Sequence, residues 1–305
     1  MRLICLMVLS ALDAIAAAPE KPSWRVSFLA VDGAPVKMQE LKATVNGAPA
    51  RLARMIGDQE PLVLLVVLDL AGDLSLVDPA REALIVEIAK LPPQVSVALL
   101  RAQDGLRVLD DPGTRREKLT ETIRTLAISG RAGLLETVKS AVLLADTMLL
   151  KTRVRTAVLY VSDSLITNYR EDYTNPVVNS SDSNDMSRRF PEGLVKEKLR
   201  QLRSELVSTL SPVFLVHLNY QSDRLNEAYQ TGLLDLSAAS GGRAVFCRSV
   251  GEIPSAVTET LERLTRLQSV DLELKPSRAR QWELSLEVPG RQLQYRIHYQ
   301  PAREK

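Results

Sequence analysis

Hydrophobic patterning changes character along the chain. At Trp24–Val31 apolar and polar residues alternate (W-R-V-S-F-L-A-V), and Glu40–Arg51 follows with an Asn-Gly pair at Asn46–Gly47. Period two with an Asn-Gly turn predicts short strands and a hairpin. Pro61–Asp69, PLVLLVVLD, is instead a continuous apolar run that stops at a carboxylate, the pattern of a strand buried on both faces. From there strand and helix patterns alternate. Strands are predicted at Leu62–Asp69, Val95–Arg101, Thr156–Ser162, Pro212–Leu218 and Arg243–Cys247. Helices are predicted at Pro79–Lys90, Arg115–Leu126, Leu134–Leu150, Gly193–Thr209, Leu225–Ser240 and Ile253–Leu267. The alternation predicts an α/β fold, a doubly wound and mostly parallel sheet covered by helices on both faces, with Gly105–Asp110 as an antiparallel edge strand.

The end of the chain returns to period two at Val270–Leu274, Trp282–Val288 and Gln294–Tyr299. Strands arriving after the last helix do not easily join a parallel sheet, so they are expected to pair with the amino-terminal strands in a small accessory β module built from both termini. The expected organisation is a signal segment at 1–18, the head of the accessory module at 19–58, the α/β domain at 59–267 and the tail of the module at 268–305. One stretch, Ser164–Pro191, is polar, rich in Ser, Asn and Asp and without period. A loop of that length is commonly a functional or solvated insertion, and it overhangs the same edge of the sheet as Asp69. Its cluster of Asp182, Asn184 and Asp185 lacks the glycine and distal glutamate of an EF-hand.

Arg2, the apolar run Leu3–Leu12 and the alanines before Pro19 read as a secretory signal cleaved near Pro19, which places the protein outside the cytoplasm, secreted or periplasmic. No other run is long and apolar enough to span a bilayer. Thirty-nine Lys and Arg nearly balance 37 Asp and Glu and are scattered, so neither nucleic acid nor an anionic membrane surface is implied as partner. Cleavage would leave Cys247 as the single cysteine, a small buried hydrophobe by its strand-like context.

Catalytic material is sparse. His217 and His298 both fall in predicted strands without a ligand neighbour at metal spacing. There is no G-x-S-x-G, no Walker A loop and no G-x-G-x-x-G after the first parallel strand. A phosphoacceptor aspartate followed by a second acid at D-x-D is also absent, since Ala71 occupies the second position.

The order of the pieces resembles von Willebrand factor A-type domains, in particular the bacterial secreted group called VWFA-related domains of acidobacterial type. The lead-in FLAVDGAPVKMQELKATVNGAPARL, the core opening VLLVVLDLAGD and the ending QLQYRIHYQP carry the resemblance. It implies a metal-ion-dependent adhesion site with D-x-S-x-S after the first strand, a threonine from a second loop and an aspartate after a later strand. Asp69 matches the first aspartate and Asp163, in LYVSDS, the last. The serine positions hold Ala71 and Asp73, and in SGRAGLLETV the threonine position falls on Ala132 beside Arg131. Mg²⁺ takes hard oxygen ligands. Two arrangements are open: a weakly bound Mg²⁺ held by Asp69, Asp73 and Asp163, with Ser75 brought in by a shifted loop, or no cofactor, with Arg131 placed against Asp69 and Asp163 as their counter-charge. The second is preferred. The expected function is a non-catalytic, exported binding or adhesion-type module that recognises a protein or cell-envelope ligand. The alternative is a Mg²⁺-dependent phosphoryl-transfer or hydrolase enzyme using Asp69, Asp73 and Asp163.

Overall fold

The structure, a computed structural model, describes residues 23–171, 173, 191–273 and 281–300; the expected signal segment and the Asp182, Asn184 and Asp185 cluster lie outside them. Four short strands come first: β1 (Ser23–Ala30), β2 (Lys42–Val45), β3 (Ala48–Pro49) and β4 (Arg51–Ile56). Asn46 and Gly47, at φ 51° and 76°, make the β2–β3 turn in the left-handed region that an Asn-Gly pair accepts at least cost. The α/β part follows as β5 (Leu62–Asp69), α1 (Leu74–Lys90), β6 (Val95–Arg101), β7 (Arg107–Asp110), α2 (Arg116–Thr125), α3 (Leu134–Thr152), β8 (Arg155–Ser162), α4 (Pro191–Glu205), β9 (Val213–His217), α5 (Arg224–Ala239), β10 (Ala244–Phe246) and α6 (Ile253–Thr265). The chain returns to strands in β11 (Gln268–Glu273), β12 (Trp282–Glu287), β13 (Leu293–Tyr295) and β14 (His298–Tyr299).

The main sheet runs β10-β9-β8-β5-β6-β7, parallel except for β7. Its faces explain the unbroken apolar runs. Leu62, Leu64, Val66 and Leu68 pack under α1, α2 and α6, while Leu65 and Val67 pack under α3, α4 and α5. Both faces of β5 are therefore dry, and neither position class can be polar.

Helix α1 begins five residues before the expected start at Pro79. Asp73 caps it, accepting the Ser75 N–H at 2.9 Å, and the Leu76 and Val77 N–H groups close the first turn on the Asp73 carbonyl. Pro79 then sits in the second turn, where its missing N–H removes one intrahelical bond.

The two ends of the chain share two four-stranded sheets, β13-β1-β11-β4 and β14-β12-β2-β3. Trp24, Val26 and Phe28 of β1, Ala43 of β2, Val270 and Leu272 of β11 and Leu284 and Leu286 of β12 form one core between them. Trp24 meets Trp282 and Tyr299 edge-on at centroid distances of 5.2 and 4.1 Å. This sandwich is fastened to the amino-terminal edge of the parallel sheet. Arg25 pairs with Asp271 through two buried bonds of 2.7 and 2.8 Å and also donates to the Arg153 carbonyl at the end of α3. Arg155, fully buried at the start of β8, donates to the carbonyls of Leu267, Asp58 and Glu60; burial lowers its guanidinium to about 10, which leaves it charged at neutral pH. Arg296 donates to the Leu206 and Thr209 carbonyls ahead of β9. Among the described residues, none of these bonds reaches the opposite, carboxyl-terminal edge.

Candidate functional site

The strand order reverses between β5 and β8, so the loops after these two strands diverge and leave a crevice at their carboxyl ends, where open α/β sheets bind ligands. Asp69 ends β5, and Asp163 follows β8 directly. The structure brings these two together: the Asp163 N–H donates to the Asp69 carbonyl at 3.3 Å.

Each carboxylate braces the start of a helix. Asp69 is wholly buried. It accepts from the N–H groups of Gly133 (2.9 Å) and Leu134 (3.3 Å) at the start of α3 and from the Ser162 hydroxyl (3.1 Å). Asp163 accepts from the N–H groups of Ala71, Gly72 and Asp73, at 2.7, 2.9 and 3.1 Å, in the loop that enters α1. Both negative charges thus face unpaired amides and the positive end of a helix, which stabilises them without any cation.

The other expected site residues lie elsewhere. Asp73 is the exposed cap of α1, its carboxyl held below the usual range by the Ser75 hydroxyl and N–H. Ser75 is exposed in the first turn and gives its N–H to Asp73 rather than turning toward Asp69. Arg131 departs from the expected arginine–carboxylate cluster. It is exposed, and its backbone exchanges bonds with Asp104 through Arg131 N–H to Asp104 Oδ1 (3.4 Å) and Asp104 N–H to the Arg131 carbonyl (3.3 Å). The counter-charge for Asp69 and Asp163 is supplied by peptide N–H groups, and the guanidinium is left to solvent.

The divalent cation that the resemblance implies would need free oxygen lone pairs at these positions. Three lone-pair directions on each of Asp69 and Asp163 already receive N–H or O–H donors, out of about four that a carboxylate offers. Ala71 and Ala132 contribute no side-chain oxygen. Among the described residues no group of three or more His, Cys, Asp or Glu side chains is arranged to hold a metal ion. As arranged, the donors do not fit an octahedral oxygen cage.

Gly133 is a site residue that the spacing did not single out. A Cβ there would lie 1.9 Å from the Ala102 carbonyl oxygen, so only glycine lets the α3 entrance press against β6's end and deliver its N–H to Asp69. A glycine directly before the apolar run of a helix was the available signal. His217 is buried, with Nε2 3.0 Å from the Ser164 carbonyl and Nδ1 accepting the Asn219 N–H. Burial lowers it to about 4, so it is a neutral imidazole whose Nε2–H fixes the turn after Asp163. Cys247 is buried and its thiol is pushed up to about 11, chiefly by burial, consistent with an inert side chain.

Asp69 supplies a pH dependence. Desolvation raises its carboxyl to about 6, against the amide and hydroxyl bonds that lower it and with Asp163 adding repulsion. The folded state therefore binds more protons than the unfolded state between roughly pH 4 and 6. This contribution to stability is complete below pH 4 and is lost as pH rises through 6, an effect of about 3 kcal/mol. Asp69→Asn, which cannot ionise, is expected to gain on wild type by up to that amount as pH goes from 4.5 to 7 in urea unfolding. A difference between the two proteins that stays constant with pH overturns this reading.

No family model and no curated protein matches the sequence. Among the described residues no helix is long and apolar enough to cross a membrane. Among solved structures the chain is similar to a von Willebrand factor type A protein from Catenulispora acidiphila, with 9% identity and a TM-score of 0.47 over 86% of this chain and 75% of that one. It is also similar to the PilB minor pilin of Streptococcus sanguinis, with 13% identity and a TM-score of 0.44 over 68% of this chain and 61% of the pilin. A third is proximal thread matrix protein 1 from the mussel byssus, solved with a zinc-occupied MIDAS motif, with 9% identity and a TM-score of 0.44 over 77% of this chain and half of that protein's length. The fold class rests on the strand order and the two helical layers themselves: a doubly wound, mostly parallel α/β sheet with additional antiparallel strands, as the von Willebrand A-type resemblance implies.

Proposed function

We propose that the chain is a non-catalytic binding module of von Willebrand A type, exported to the periplasm or exterior, that engages a protein or cell-envelope ligand through its carboxyl-edge loops without a bound divalent cation. The observation that carries this is the use of Asp69 and Asp163 as acceptors for the α3 and α1 entrance amides. Carboxylates committed in this way hold loops in place and have little capacity left for a metal. The accessory sandwich supports the same reading, because its described contacts lie at the amino edge of the sheet. Export rests on Arg2, the apolar run after it and the alanines before Pro19, and intact mass of a mature chain beginning near Pro19 checks it.

The competing enzyme would need Asp69, Asp73 and Asp163 around one Mg²⁺. Asp69 has no solvent-accessible surface and Asp73 is turned outward as a helix cap, which weighs against it. The experiment combines thermal melts with millimolar Mg²⁺ or EDTA and a p-nitrophenyl phosphate assay. The binding reading expects melting temperatures that agree within about 1 °C and no turnover. Mg²⁺-dependent turnover that disappears in Asp69→Asn overturns it.

A further inference from the structure

Four arginines gather around one turn at the carboxyl edge. Arg101 ends β6 and is the register partner of Arg107 at the start of β7, so two like charges stand directly opposite each other on one face of the hairpin, an arrangement that destabilises a sheet. The turn between them is built on Asp104 and Gly105, at φ 53° and 110°. Asp104 in turn holds Arg131 through the backbone bonds described above, and forms an ion pair with Arg170 at 3.7 Å. Arg101 reaches the same loop by donating to the Ser129 carbonyl at 2.5 Å.

Positive charge is concentrated around this turn with little compensation. Several basic residues on the helices have acidic partners: Lys90 with Glu87, Arg124 with Glu121, Arg200 with Glu197 and Arg224 with Glu192. Around the β6–β7 turn, among the described residues, Asp104 pairs with the guanidinium of Arg170 alone, while Arg101 donates to Gln103 and the Ser129 carbonyl. Glu171, the residue after Arg170, is directed to Tyr173 and Lys198. Arg107 and Arg131 are exposed, and among the described residues neither guanidinium has an ion-pair partner. Arg170 is 77% exposed.

We propose that this arginine cluster is the ligand-contacting surface and that its ligand is an acidic segment of a partner protein, rich in Asp or Glu. The proposal rests on the binding reading above and specifies the partner's chemistry. Guanidinium groups bind carboxylates in paired, planar geometry, and several of them around one turn match successive acids along a chain. Nucleic acid is the poorer match. Binding of single strands uses aromatic platforms beside the cations, and the aromatic side chains nearest in this loop, Tyr169 and Tyr173, are buried.

Fluorescence anisotropy with labelled deca-glutamate tests the proposal. Wild type is expected to bind the peptide at low salt and to lose most of that affinity at about 0.5 M salt. Arg107→Gln with Arg131→Gln is expected to weaken binding about tenfold or more at an unchanged melting temperature, since neither side chain is engaged. Lys37→Gln with Lys151→Gln removes the same charge from exposed positions outside the cluster and is expected to stay within about twofold. Equal losses in the two double variants, no binding by wild type, or tighter binding of an oligothymidylate of equal charge would each overturn the proposal. Its failure differs from failure of the binding reading: Mg²⁺-dependent turnover sinks the latter whatever the peptide does.

Discussion

A chain ending at Leu267 is expected to lose its amino-terminal strands to protease under conditions in which the full chain stays intact. Truncation removes both neighbours of β1, which are β11 and β13, and takes β12 from β2 and β11 from β4. It also opens the shared core, baring Trp24, Val26 and Phe28, and leaves Arg25 without Asp271. Unpaired sheet edges next to bared apolar faces invite aggregation. Limited proteolysis read by mass spectrometry should place early cuts within residues 23–56. The point substitution Asp271→Ala leaves Arg25 buried without its partner and should destabilise by roughly 3–5 kcal/mol without removing any strand. A truncated protein whose head is as resistant as that of the full chain shows that the tail does not support it.

Several features of this fold are written directly in the residue order. The run Leu62–Asp69 is apolar at every position before its carboxylate because both of its faces meet helices, so the strand and its end coincide with expectation. Val95–Arg101 is another strand placed to the residue. The pairing of head with tail was legible for a different reason: alternation after the last helix needs a partner, and the only other alternating segments stood at the start of the chain. Loop geometry was not legible. Which groups turn toward Asp69 depends on where the backbone between α2 and α3 aims its N–H groups, and Gly133, pressed against Ala102, delivers one of them. Asp73 stands immediately before Leu74 with the residue type of a helix cap, but Pro79 draws the expected helix start to itself, so the capping role is hidden in the residue order.

That distinction between ligand and brace carries the largest effect of a single substitution at the site. Asp163→Ala is expected to lower the melting temperature by roughly 6–10 °C, equivalent to about 3 kcal/mol. Three N–H groups lose a charged acceptor at once, those of Ala71, Gly72 and Asp73. Bonds to a charged group contribute about 1.5–3 kcal/mol each, and the total is discounted because Gly72 and Asp73 are exposed and water can replace part of what is lost. Asp163→Asn is expected to recover part of the loss, because its amide oxygen can keep the Gly72 and Asp73 bonds while its NH2 group is set against the Ala71 N–H and the charge is gone. Arg131→Ala, removing a solvated side chain, should remain within about 0.5 kcal/mol of wild type. Hydrogen exchange locates the damage: amides 71–77, at the entrance to α1, should exchange faster in Asp163→Ala while those of β5 remain protected. Were Asp163 a metal ligand in place of a brace, its loss in metal-free protein would be nearly neutral. An Asp163→Ala protein that melts within about 1 °C of wild type in EDTA would therefore overturn the role assigned to this carboxylate.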